Sequence, residues 1–252
     1  MTDKAKSTPV GLNEIAEDAF GLSLRGLKTV WNMFARPAVG FAAARTPDWQ
    51  GGAFTPSLRL VFSLLAVMTA IRFLWAGQES VLYDVVEISL DTTISFETGA
   101  ARHAYISTFL DWYVFFFPIC FMALHVFVAW PLRIWGKGTG YAVRLRLQFL
   151  GLVPSTLLSL IASPAFSTFH ADAWAFVGPL FILAMFVLDG VTVFRGGVAD
   201  RTVGARFWRA LLFGSVGFIV GMVTNIAAMT LASAWQTYGP EIQASLAGLG
   251  GV

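Results

Sequence analysis

Residues 114–128 read VFFFPICFMALHVFV, fifteen positions without a formally charged side chain. Extended to 109–130, the run holds one formal charge, Asp111. A hydrocarbon layer about 30 Å thick takes roughly 17–25 mainly apolar residues per helical crossing, and this run has that length. Backbone polar groups in lipid must be hydrogen-bonded within the segment, so the run reads as a helix. Strands of a membrane barrel alternate apolar and polar side chains, and 114–128 does not.

Four further runs qualify, at 58–76, 147–162, 174–194 and 210–235. The composition agrees: 56% of the 252 residues are hydrophobic and 13% are charged. Mean hydropathy is +0.68. Soluble domains carry about a quarter charged residues. The 23 Phe and 9 Trp exclude a disordered chain. A single cysteine excludes an internal disulfide or a CxxC pair, and a net charge of +2 gives no reason to expect nucleic acid. The expected fold is all-α and polytopic. It has an amphipathic N-terminal segment (1–55), a five-helix transmembrane bundle (56–236) with an outer loop at 77–104, and a short outer tail (237–252). Residues 1–10 are polar, and no cleavable apolar segment precedes the first span, so that span reads as a retained anchor.

Charge orients the bundle. Fifteen of the seventeen basic residues fall before or at the very start of span one (Arg59), between spans two and three, or between spans four and five. The opposite loops hold Glu79, Asp84, Glu87, Asp91, Glu97, Asp172 and Glu241, with Arg102 as their only basic residue. The positive-inside rule places the N-terminus in the cytoplasm and the C-terminus outside, in a bacterial cytoplasmic (inner) membrane.

In the N-terminal segment Leu24, Leu27, Trp31 and Phe34 recur at helical spacing, flanked by Arg25 and Lys28, and Pro37 stops the pattern. Such a helix can lie in the headgroup layer, pack on the ends of the bundle, or bind a partner. Residues Val81, Leu82, Val85, Val86 and Ile88 predict a short helix resting on the bundle within the outer loop.

Ionisable residues within spans are costly if they face lipid, so they mark candidate sites. Arg72 and Asp111 lie at similar depth near the outer side and are expected to pair. Asp111, Pro118 and His125 are seven apart and should share a face of span two. His125 and Asp189 lie at the inner depth, and their pairing would form either a structural register lock or a proton relay. Gly214, Gly217, Gly221 and Asn225 share a face of span five, where Gly217 and Gly221 form a GxxxG. That face reads as helix packing with an Asn225 hydrogen bond across the contact. Gly151, Ser155 and Ser159 repeat the four-residue spacing in span three, and Pro118, Pro154 and Pro179 should kink their spans.

Catalytic readings find little support. Only His125 lies within a span, so a bis-histidine haem is excluded, and no cofactor or metal is expected. The stretch Gly136, Lys137, Gly138, Thr139 lacks the upstream Gly and the adjoining Ser or Thr of a phosphate loop. Cys120 reads as a small hydrophobe, and GxSxG and HExxH do not occur.

The order of parts resembles the Yip-domain family and related bacterial polytopic membrane proteins. The residues that carry the resemblance are Phe34, Ala35, Arg36 and Pro37 ahead of the bundle and Pro56 opening the first span. It implies a non-enzymatic role in membrane organisation, trafficking or support of another complex, and it transfers no site residue. The leading expectation is a non-enzymatic membrane scaffold or accessory subunit, partnered by the lipid bilayer and by other membrane subunits or a second copy. The alternative is a small permease or proton-coupled transporter using Arg72, Asp111, His125 and Asp189. A polar cavity at mid-membrane distinguishes the two.

Overall fold

The computed structural model describes residues 24–75, 81–91, 96–166, 171–197 and 202–249; Glu79 of the expected outer loop lies outside them. The described residues form helices and turns, with no strand among them. The helices are α1 (Leu24–Ala35), α2 (Pro37–Ala44), the single turn α3 (Trp49–Gly52), α4 (Ser57–Trp75) and α5 (Val81–Asp91). They continue with α6 (Gly99–Ala129), α7 (Tyr141–Gly151), α8 (Val153–Phe166), α9 (Ala171–Thr192) and α10 (Val203–Leu249). A π-turn, Val193–Gly197, ends α9.

Among the described residues, four stretches are long and apolar enough to cross a membrane: Gly99–Ala129, Tyr141–Ala165, Ala175–Gly197 and Val203–Gly239. The nineteen-residue α4, which carries Arg59 and Arg72, is not among these four. Two of the observed helices clearly outrun the expected spans. The span expected at 109–130 begins ten residues earlier, capped by the Thr98 hydroxyl, which accepts from the Ala101 N–H at 3.1 Å. The helix expected at 210–235 has 47 residues, about 70 Å at 1.5 Å per residue, and residues 237–249 of the expected tail belong to it.

The span expected at 147–162 is two helices. α7 stops at Gly151, and α8 restarts at Val153 with Pro154 in its first turn, where a missing N–H costs no hydrogen bond. The pair is also the most buried of the four: 56% of its most apolar stretch is buried, against 22–28% for the other three. Its α8 closes a ring with α4, α6, α10 and α9, each packing on the next. Phe115, Ile119, Phe176, Leu183, Ile219 and Ile226 are exposed on the outside of that ring. In water such a surface would be an aggregation liability.

The dense core lies at the basic end, where α2 is folded beneath the bundle. Phe41, Ala43 and Ala44 of α2 are buried with Trp135, Phe149, Val193 and Phe213. Arg36 precedes Pro37, which disfavours its helical conformation, and the chain turns there with Arg36 at φ −140°. Arginines then bind the carbonyls that the helix ends leave open. Arg195 donates to Phe34 O at 2.7 Å and Ala35 O at 2.9 Å. Arg45 donates to Trp135 O and Gly197 O, both at 3.2 Å. Arg209 reaches Ile134 O at 2.9 Å, and Arg144 and Arg206 reach Trp130 O and Phe194 O. Arg146 donates to Thr46 O at 2.9 Å, and Ser57 at the start of α4 donates to Arg146 O at 2.8 Å. At the opposite end α5 lies on α6 as expected, held by Tyr83 Oη to His103 Nδ1 at 3.0 Å and by Glu87 with Arg102 at 3.5 Å.

The approach of α2 to the π-turn requires glycine. A Cβ at Gly196 would stand 2.2 Å from Ala38 N and 2.7 Å from Pro37 C, and backbone cannot yield as a side chain can. Gly196→Ala is therefore expected to cost at least about 2 kcal/mol. Gly204→Ala, where a Cβ meets nothing within 4 Å, should be neutral or mildly stabilising. Thermal unfolding of both variants in detergent measures the difference; equal melting temperatures would contradict the close approach.

Candidate functional site

Each ring helix brings a different chemistry to one cavity of about 170 Å³. From α4 come Leu65, Met68 and Arg72; from α6, Phe117, Phe121 and His125. Leu152, between α7 and α8, is joined by Ser155, Thr156 and Ser159 of α8. α9 gives Met185, Phe186 and Asp189, and α10 gives Gly217, Gly221 and Asn225. The walls are mostly apolar, with polar groups concentrated at two levels.

One level is acidic and basic without pairing. Asp189 is 5% exposed, and its carboxylate lies beside the hydroxyl and the N–H of Ser155 in the first turn of α8. The break at Leu152 supplies that N–H, because a helix start leaves its first N–H groups without intrahelical acceptors and favours a nearby negative charge. Asp189 Oδ1 has no hydrogen-bond partner. His125 is 1% exposed, and its Nδ1 lies 2.9 Å from Phe121 O. A carbonyl only accepts, so Nδ1 carries the proton and Nε2 of the neutral ring is an acceptor. That Nε2 is also without a partner. The expected His125–Asp189 hydrogen bond is thus absent: both residues line the cavity, and each keeps one buried polar atom free.

The other level is built on Arg72. Its guanidinium stands 5.0 Å from the Phe117 ring centroid and beside the Tyr113 hydroxyl. Tyr113 donates to Asn225 Oδ1 at 2.6 Å, and Asn225 Nδ2 donates to Gly221 O at 2.8 Å. Asn225 therefore makes the expected bond across a helix contact, and its partner is Tyr113 of α6. Arg72 does not pair with Asp111, which is exposed on another side of α6. Residues two apart on a helix point about 200° apart, so Tyr113 faces inward where Asp111 does not. Asp111, Pro118 and His125 share an azimuth by their spacing, yet they do not form one inward stripe, because burial changes along that face: the first is exposed, the second half-buried and the third buried.

The glycine face of α10 divides. Gly214 is a packing position, since a Cβ there would meet Phe186 O at 3.2 Å and its ring at 3.0 Å. Gly217 and Gly221 are not: a Cβ would reach only Leu152 at 3.9 Å from the first and nothing within 4 Å from the second. The GxxxG opens the cavity rather than seating a helix. Ser159 donates to the Met185 sulfur at 3.2 Å, joining α8 to α9. Leu24, Leu27, Trp31 and Phe34 stand far from the cavity and are exposed on α1. Cys120 is buried, and the described residues hold no cluster of three metal-ligating side chains.

Tyr113→Phe would strand Asn225 Oδ1 and is expected to cost about 1–3 kcal/mol. Asp111→Asn should change stability by less than about 0.5 kcal/mol. Denaturation of the two variants in one detergent tests the assignment, and the reverse order would restore the Arg72–Asp111 pair.

Comparison with protein-family models, with curated proteins and with solved structures finds no match to this chain.

Proposed function

We propose that this chain is a five-span protein of a bacterial cytoplasmic membrane that admits a small donor-bearing solute, such as an amine, water or a proton, to an intramembrane cavity. One observation carries the reading. Two buried acceptors, Asp189 Oδ1 and His125 Nε2, face a single cavity and lack protein donors. A buried acceptor left unmade costs about 1–3 kcal/mol, so a site that keeps two of them is built to receive donors. The arrangement matches a recurring device of membrane carriers, a span broken at mid-depth whose new helix start meets charge.

In this reading α4 is the first span, completing the ring, and the basic end faces the cytoplasm. The other α-helical ring members are the four long apolar stretches. Asp189 and His125 bind the donor, Ser155 and Thr156 offer hydroxyls beside them, and Arg72 closes the opposite level by favouring acceptor atoms of the solute. No step of bond-making is assigned, and the chain acts by binding and passage. A scaffold or accessory role drew its support from intramembrane charges satisfied among themselves, and Asp189 and His125 are not. The resemblance to the Yip-domain family likewise rests on four residues, Pro56 and the order of parts.

The test is flux through proteoliposomes, with internal pyranine for protons and light scattering for methylammonium, urea and glycerol. The wild type should accelerate at least one of these over protein-free vesicles. Gly221→Leu, which fills the cavity where a Cβ meets no neighbour, should remove that acceleration while the melting temperature holds. Asp189→Asn should lower it about tenfold, the equivalent of one charge-assisted hydrogen bond. A wild type no faster than empty vesicles, or an unaffected Gly221→Leu, would contradict the proposal.

A further inference from the structure

The helix α1 is divided into three sectors, one of which is buried on the protein. Gly26, Thr29 and Met33 are buried, and Thr29 Oγ1 receives the Thr55 N–H at 3.0 Å. Leu24, Leu27 and Trp31 are 66%, 60% and 71% exposed, with Phe34 beside them. Arg25, Lys28 and Asn32 make the third sector. At 3.6 residues per turn the three sectors lie roughly 100–145° apart. The apolar sector is therefore neither the packed face nor the polar one.

Two contacts fix where that sector sits. α1 packs against α8, part of the Tyr141–Ala165 stretch that is long enough to cross a membrane. Arg195 of the π-turn holds the carbonyls at its C-terminal end. The helix is thus held against a stretch long and apolar enough to span, near the basic end of the bundle, with its exposed Leu and Trp side chains beside that stretch. Charge favours the same neighbour. Residues 19–47 contain no Asp or Glu but include Arg25, Lys28, Arg36 and Arg45. Basic side chains next to an interfacial helix are drawn to anionic headgroups.

We infer that α1 is an in-plane membrane anchor, with Leu24, Leu27, Trp31 and Phe34 inserted into the acyl region of the leaflet at the basic end and Arg25 and Lys28 at its anionic headgroups. Helices of this kind sink about 5–10 Å into the boundary between headgroups and acyl chains. The inference rests on the membrane reading above, and it is independent of the cavity.

The protein has one cysteine, so Cys120→Ser gives a background for single labels. Bimane is attached at Leu27→Cys and Trp31→Cys, at Lys28→Cys on the polar sector, and at Ile226→Cys on the exposed side of α10. Each protein is reconstituted in phosphatidylcholine–phosphatidylglycerol vesicles with brominated acyl chains. Positions 27 and 31 should lose at least about half of their fluorescence, most strongly with bromines near the headgroups, and position 28 should lose far less. Position 226 should be quenched most by bromines deep in the chains. Unquenched labels at 27 and 31 beside a quenched 226 would overturn the anchor alone and assign this face to a protein partner or a second copy. An unquenched 226 would overturn the membrane reading with it. If Trp31→Cys does not accumulate, Leu24→Cys on the same sector carries the reading.

Discussion

Helix ends expose carbonyls, and in this bundle arginine side chains are what satisfy them. Arg45, Arg144, Arg146, Arg195, Arg206 and Arg209 donate to backbone carbonyls of other segments at the basic end. The contacts of Arg45, Arg146, Arg206 and Arg209 are partly buried, and a carbonyl left there without a donor costs as much as a lost hydrogen bond, so these contacts also fix where a chain reversal can sit. Arg45 shows the tension involved: burial pulls its guanidinium below the ordinary value, yet an arginine remains charged and keeps its donors. The consequence is an N-terminal segment integrated into the fold. Its Phe41 sits against Trp135 with ring centroids 5.8 Å apart, and Gly196 lets its backbone touch the π-turn.

That tight floor contrasts with the space beyond it. At Gly151 a Cβ would strike the Phe213 ring at 2.7 Å, whereas at Gly221 it would touch nothing. Both are glycines in apolar helices, but one closes a contact and the other leaves room. Between them the third stretch breaks at Leu152, and the restarted helix presents its N–H groups to Asp189. Packing, backbone break and unpaired acceptors converge on one volume. This convergence, rather than any single residue, gives the cavity its functional weight.

Much of this is legible in the sequence, though unevenly. Long apolar runs announce themselves because lipid demands length and continuity, and four of the five expected stretches are long and apolar enough to span. An ionisable residue inside such a run is equally visible, so Arg72, His125 and Asp189 stand out from the sequence alone. Their partners do not. Asp111 and Tyr113 are two positions apart on opposite sides of α6, and depth along the helix says nothing about azimuth. Tyr113 is hidden as one aromatic among many, although it carries a hydroxyl in a run of Trp and Phe. Small-residue spacing is ambiguous for a related reason, since Gly214, Gly217 and Gly221 look alike until a neighbour is present or absent. The basic residues read as topological charge, and their carbonyl partners have no side-chain signature. Pro154 does mark the break in the third stretch, but it takes the packing of α9 on α8 to put Asp189 at its mouth.

The central claim is that water and small solutes reach a cavity between the helices. The most direct measurement is the reaction of a membrane-impermeant thiol reagent with Ser159→Cys and Gly217→Cys in proteoliposomes of the Cys120→Ser protein. Ile226→Cys, on the exposed outer side of α10, serves as reference. Both cavity positions should react much faster than the reference. Reaction no faster than at position 226 would contradict it and leave a dry, inert bundle.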